Sequence, residues 1–257
     1  MTTLTPLSTP TARLQGRLAL FNPTIARITT RALFGRLRFL LLLPLPLIVV
    51  GLALLTNAVG VPAEDWLSAV VLGLGLTVVL PVLALIIGNG VLGTEIDDGT
   101  LAHVLAKPLP RREIVLSKLA VAVGVTAVTT GVPLALTGLI AGSGSLALGL
   151  AAGSLVGALA YCSLFAALSL LTRRPVLVGL AYILIWESLL QNILDGTRVL
   201  SVYQYVLTVV DRVSGSPLVS SNLSLAVSLS MAFIFTAGFT LLAIDRLRSF
   251  SVVGETS

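Results

Sequence analysis

Six apolar runs, each long enough to cross a lipid bilayer as a helix, constrain the fold more than any other feature of the sequence. They occupy residues 39–59, 67–92, 114–141, 146–171, 175–194 and 222–244. A transmembrane helix needs about 20 mostly apolar residues. Charged residues make up 11% of the chain, compared with about 25% in soluble domains. The sequence therefore predicts an all-α polytopic membrane protein with six transmembrane helices, in a transmembrane domain spanning 39–248.

Basic residues set the predicted orientation. Of the 16 Lys and Arg residues, 14 lie before the first run, between the second and third or at the start of the third, between the fourth and fifth, or after the sixth. Only Arg198 and Arg212 fall in the alternate loops. Because basic loops stay in the cytoplasm, both termini are predicted to be cytoplasmic, with 249–257 as a tail. This bias accounts for the net charge of +5, which therefore does not indicate nucleic-acid binding.

The region before the first run divides into two parts. Residues 1–21 are rich in Thr, Ser and Pro and contain no apolar core, which predicts a flexible segment without a cleavable signal peptide. Residues 22–38 predict an amphipathic helix on the cytoplasmic surface. On a helical wheel its apolar side chains oppose its basic ones: Ile25, Ile28, Ala32 and Leu33 against Arg27, Arg31 and Arg38. A simple basic flank to the first span is the alternative.

The polar stretch between spans two and three predicts a short helix outside the bilayer, within a loop spanning 94–117. Gly99 can end one helix, Thr100 can cap the next, and Pro108 stops it. Its apolar face contains Leu101, Val104 and Leu105, and its polar face contains His103 and Lys107. The loop therefore presents an apolar ridge to a partner outside the membrane.

Polar and small residues within the runs suggest further roles. Pro81 and Asn89 mark span two as kinked, either to line a path or to serve packing. Glu187, with Gln191 one turn on and Tyr182 nearby, is a carboxylate deep in an apolar run. It is either functional or structurally paired with Gln191, a tyrosine or another helix. Small residues at intervals of four in span four predict close packing on another helix: Gly149, Gly153 and Gly157.

Residues 195–221 are semi-apolar and too short to cross a membrane, so they predict an external pair of interfacial or re-entrant helices.

The chain contains no GxxxxGK[ST] motif that would bind a nucleotide. His103 is its only histidine and lies in a loop, which argues against a Ser-His catalytic site and a His-rich metal site. We therefore expect no enzyme activity and no metal in this chain.

The run from Glu95 to Leu101 (EIDDGTL), followed by PLPR ending at Arg111 and by Lys118, resembles the signature of ABC-2 permeases of ABC transporters. The run from Trp186 (WESLL), with Leu200 and Ser201 after it, is similar to the fifth span of small bacterial members. The resemblance implies a multi-pass subunit of the bacterial inner membrane that exports its substrate. It also implies a homodimer, or a dimer with a close homologue, bound to two separate ATPase subunits that hold ATP and Mg.

By the same resemblance, the loop helix is a coupling helix seated in a cleft of the ATPase, and the N-terminal helix contacts the ATPase too. The implied contact residues are Glu95, Thr100, Leu101, His103, Val104, Leu105, Lys107 and Arg111. The apolar interior suits a lipophilic or amphiphilic substrate, with membrane lipid as a further partner. Two rival hypotheses are an ion-coupled secondary carrier that uses Glu187 and a membrane scaffold that transports nothing.

Overall fold

Helices occupy nearly all of the chain that the computed structural model describes, namely residues 23–34, 43–97, 110–190 and 199–253. They are α1 (Pro23–Phe34), α2 (Pro44–Ala58), α3 (63–97), α4 (Arg111–Ile140), α5 (Gly144–Leu171), α6 (175–190), α7 (Val202–Ser214) and α8 (Leu225–Val253). Two of these contain π-helical segments, Ser68–Val79 in α3 and Tyr182–Leu190 in α6. The described residues thus form an all-α protein.

Four helices in the described ranges are long and apolar enough to cross a membrane: Ala63–Gly93, Arg111–Ile140, Gly144–Leu171 and Leu225–Ser249. Shorter apolar helices, α2 and α6, stand at the other two predicted positions. The 15 residues of α2 reach about 22 Å, less than the hydrocarbon thickness of about 30 Å. Since α2 and α6 border the undescribed residues 35–42 and 191–198, six spans remain a prediction. The last helix also continues to Val253, past the predicted start of the tail.

The central helix of the bundle is α5, which packs against α3, α4, α7 and α8. Its carboxyl half is buried on nearly all sides, including Tyr161 and Phe165. Cys162, the only cysteine, is buried there with its Sγ 3.3 Å from Oγ1 of Thr126 on α4. The cysteine is therefore a small core residue that links two helices.

The glycine face of α5 receives α7, a partner that the sequence did not identify. An added Cβ at Gly149 would lie 2.9 Å from the Val210 carbonyl oxygen, and one at Gly153 would lie 3.2 Å from that of Val206. At Gly157 a Cβ would meet Val206 and also Leu80 of α3. Glycines at these positions let the two backbones approach closely, as small residues do between membrane helices.

Helix α7 enters the bundle instead of lying flat on its surface. Its contacts run from Ser214 at Gly149 to Val206 at Gly157, so α7 is antiparallel to α5. Gly157 is about 20 Å along α5, half-way through the helix. This packing is the kind expected of a re-entrant helix, and the choice between the two predicted alternatives stays a prediction. A single helix, and not a pair, lies within described residues 199–221.

The expected disturbance at Pro81 takes the form of a widened helix. The π-helical segment Ser68–Val79 ends just before this proline, and the Thr77 hydroxyl donates to the Leu72 carbonyl five residues earlier, at 2.9 Å. A proline in a regular α-helix clashes with the carbonyl four residues before it. The wider turn accommodates Pro81 without breaking α3.

We expect Gly149→Ala to lower the free energy of unfolding by about 1–3 kcal/mol, because the added methyl would press on backbone atoms of α7 that cannot yield. Gly124→Ala in α4 is the matched control, since nothing lies within 4 Å of its added Cβ. Unfolding in detergent, followed by tryptophan fluorescence, measures both. Equal stability of the two variants would contradict the close contact between α5 and α7.

Candidate functional site

A buried carboxylate, Glu187, lies at the meeting point of α6 and α7. Its side chain is 1% exposed. Oε1 accepts from the Tyr182 hydroxyl and the Val202 N–H, both at 3.0 Å. Oε2 accepts from the Ser201 hydroxyl at 2.6 Å and the Tyr203 N–H at 3.4 Å. Both oxygens of the carboxylate are thus engaged by donors from the chain itself.

Glu187 provides hydrogen-bond acceptors for the amino end of α7, which lies inside the bundle. The first N–H groups of any helix lack partners within it, and those of α7 lie inside the bundle. Val202 and Tyr203 are its first two residues, and the Ser201 side chain makes no cap bond to them. A carboxylate from α6 takes that role and also lies at the positive end of the α7 dipole. Glu187 therefore anchors the amino end of α7.

Tyrosines surround this anchor. Tyr182 donates to Glu187, and the Tyr205 hydroxyl donates to the Val199 carbonyl at 2.6 Å. Phe165 connects Tyr161 and Tyr182, with ring centroids 6.0 Å and 6.4 Å apart. The aromatic rings fill the space between α5, α6 and α7, so the anchor lies within packed side chains.

Near the point where α3 ends and α4 begins, Lys118 joins α4 to α3. Its Nζ donates to the Val91 carbonyl at 3.2 Å, and its side chain is 3% exposed. Glu113, one turn and a half earlier on α4, is also buried. Asn89 lies near this junction, and its Oδ1 has no hydrogen-bond partner among the described residues. The junction links the two helices that flank the predicted coupling loop.

Half of that loop, residues 98–109, lies outside the described residues. Six of the predicted contact residues lie in this part: Thr100, Leu101, His103, Val104, Leu105 and Lys107. Arg38 and Gln191 are also outside the described residues. The two flanking helices extend further than predicted, because α3 includes Glu95 and ends at Asp97 while α4 begins at Arg111. The undescribed part of the loop is therefore 98–109.

Sequence reasoning found Glu187 and one of the groups that hold it. It suggested Gln191, a tyrosine or another helix as the partner, and Tyr182 does donate to the carboxylate. It did not find Ser201 or the two main-chain N–H groups. Ser201 directly precedes the helix that begins at Val202, a position where serine is common, and this signal was available. No group of residues that could hold a metal ion occurs in the part of the chain that the structure describes.

A family model described as "ABC-2 family transporter protein" matches residues 33–194, more than half of the chain. The match includes the predicted coupling loop and Glu187. Searches of curated proteins and of solved structures find no match.

We expect Glu187→Ala to expose the amino end of α7. Loss of the acceptor leaves buried N–H groups unpaired, at about 1–3 kcal/mol each, so the Val202 and Tyr203 amides should exchange hydrogen about tenfold faster or more. Glu187→Gln keeps one acceptor oxygen and should have an intermediate effect. Hydrogen exchange with mass spectrometry measures the change.

Tyr182→Phe is the control for this experiment, because it removes one donor and leaves the carboxylate in place for the two amides. In Tyr182→Phe, hydrogen exchange at the Val202 and Tyr203 amides should stay close to that of the wild type. Unchanged exchange in Glu187→Ala would show that the carboxylate does not hold α7.

Proposed function

Because the chain belongs to the ABC-2 family of transporter proteins and is a membrane permease subunit of an ABC transporter, we propose that ATP-driven export of a lipophilic or amphiphilic substrate is its function. Two separate ATPase subunits would hold ATP and Mg, and a second permease copy or a close homologue would complete the complex. The single observation that carries the proposal is the family match over 33–194, which includes the loop expected to receive the ATPase.

The proposed coupling runs through the loop at 98–109 into α3 and α4. Helix α3 ends at Asp97 and α4 begins at Arg111. A hydrogen bond from Lys118 of α4 to the Val91 carbonyl of α3 joins the two helices. A push on the apolar ridge of Leu101, Val104 and Leu105 would therefore act on both helices together. ATP binding shifts the permease between conformations only if the ATPase contacts the two conformations differently.

For Glu187 we propose an anchoring role in place of a solute-binding one. A secondary carrier would need this carboxylate to accept an ion or a proton, but four donors from the chain occupy its oxygens. Carriers of that kind also tend to contain paired repeats with broken helices, and the sequence contains no such pairing. The packing around Glu187 thus favours the ATP-driven mechanism over the ion-coupled one.

We expect Leu105→Asp to uncouple the ATPase from transport. A charge placed in an apolar socket is costly, so the purified variant should retain about tenfold less ATPase, equivalent to about 1.4 kcal/mol. Leu218→Asp, on the loop after α7, makes the same change at an exposed position that is predicted to be external. Co-purification and ATPase rate measure the effect; normal ATPase retention together with normal transport in Leu105→Asp would contradict the proposed coupling.

The proposed orientation, with six spans and both termini in the cytoplasm, is tested by cysteine labelling in a Cys162→Ser background. Ser145→Cys, exposed in the first turn of α5, should react with a membrane-impermeant maleimide in intact cells. Arg173→Cys, exposed between α5 and α6, should react only after permeabilisation. The reverse pattern would show that the chain is inserted the other way round.

A further inference from the structure

Helix α1 is fixed to the transmembrane bundle by one face. Ile25 and Leu33, two turns apart, pack against the apolar core, and Thr29 between them is buried. Leu33 approaches Gly90 of α3, where an added Cβ would lie 3.9 Å from Leu33 Cδ2. The rest of the contact is with α4. Helix α1 is therefore docked against α3 and α4, with its other face turned outward.

The outward face combines two basic side chains with an apolar one. Arg27 and Arg31, one turn apart, are exposed. Ile28, which neighbours Arg31 on the helix surface, is 60% exposed. The sequence had placed Ile28 on the apolar side, opposite the arginines. In the structure Ile25 and Leu33 pack against the bundle, whereas Ile28 is left exposed beside the arginines.

The docking site gives the depth of the helix in the membrane. Gly90 adjoins Val91, whose carbonyl binds Lys118, and Lys118 is about 10 Å along α4 from Arg111. The Leu33 end of α1 therefore lies at the level of the first turns of a membrane span. At the cytoplasmic surface this depth is that of the lipid headgroups and the start of the acyl chains.

We propose that the outward face of α1, formed by Arg27, Ile28 and Arg31, binds anionic phospholipid headgroups of the cytoplasmic leaflet. Ile28 would enter the acyl boundary while the two guanidinium groups, which are suited to bidentate bonds with phosphate, stay at the headgroups. Charge complementarity favours an anionic lipid over a neutral one. An exposed apolar side chain beside two arginines at membrane depth fits a lipid surface better than the cleft of a soluble protein.

This proposal goes beyond transport itself and rests on the cytoplasmic orientation proposed above, which the cysteine labelling tests separately. It also competes with the contact between this helix and the ATPase that the family resemblance implies. The lipid experiment therefore has to distinguish the two partners.

The test titrates the purified full chain in detergent with phosphatidylglycerol or with phosphatidylcholine and counts retained lipids by native mass spectrometry. The wild type should prefer phosphatidylglycerol. Each basic residue near a lipid surface contributes about a fivefold change in affinity, so Arg27→Gln should weaken phosphatidylglycerol binding about fivefold. Arg27→Gln with Arg31→Gln should weaken it about 25-fold and leave phosphatidylcholine binding unchanged. Ile28→Ser should weaken binding of both lipids.

The matched control is Arg173→Gln with Arg174→Gln, which removes the same charge from an exposed loop on the same side of the bundle. It should bind phosphatidylglycerol like the wild type. Equal losses in the two double variants would overturn the proposal, because the effect would then be one of total charge. Unchanged lipid binding in the α1 variant, with loss of the co-purifying ATPase, would overturn it in favour of a protein partner.

Discussion

The amino end of α7 lies inside the bundle, and the arrangement of the surrounding helices depends on how its N–H groups are satisfied. In an apolar interior no water is present to accept these bonds, and each unpaired group costs several kcal/mol. Glu187 on α6 accepts from Val202 and Tyr203. The carboxylate and the helix end thus stabilise each other, although each by itself would be costly in lipid. Neither would be tolerated at this depth alone.

The sequence predicted the elements of this arrangement better than their contacts. Apolar runs gave the positions of the four long helices, because a bilayer imposes a length and a composition that can be read residue by residue. The intervals of Gly149, Gly153 and Gly157 predicted a close approach but not the partner, since a small-residue face is the same whichever helix it receives. The acceptor role of Glu187 depends on residues 14 to 16 positions away, which periodicity does not reveal.

Different contacts hold different parts of the bundle together. Around α7, glycine contacts and the Glu187 bonds join α5, α6 and α7. Where α3 ends and α4 begins, Lys118 joins these two helices beside the loop at 98–109. A force applied at this loop would therefore act on α3 and α4 together and, through their packing on α5, on the rest of the bundle. Helix α1 is docked on the same two helices.

The most direct measurement of the central claim is a cryo-electron microscopy map of the complex purified from its native membrane with a non-hydrolysable ATP analogue. The account predicts two ATPase subunits below the permease, with the apolar ridge of Leu101, Val104 and Leu105 seated in a cleft of one of them. A map in which the chain has no nucleotide-binding partner, from material that moves solute with an ion gradient alone, would contradict it.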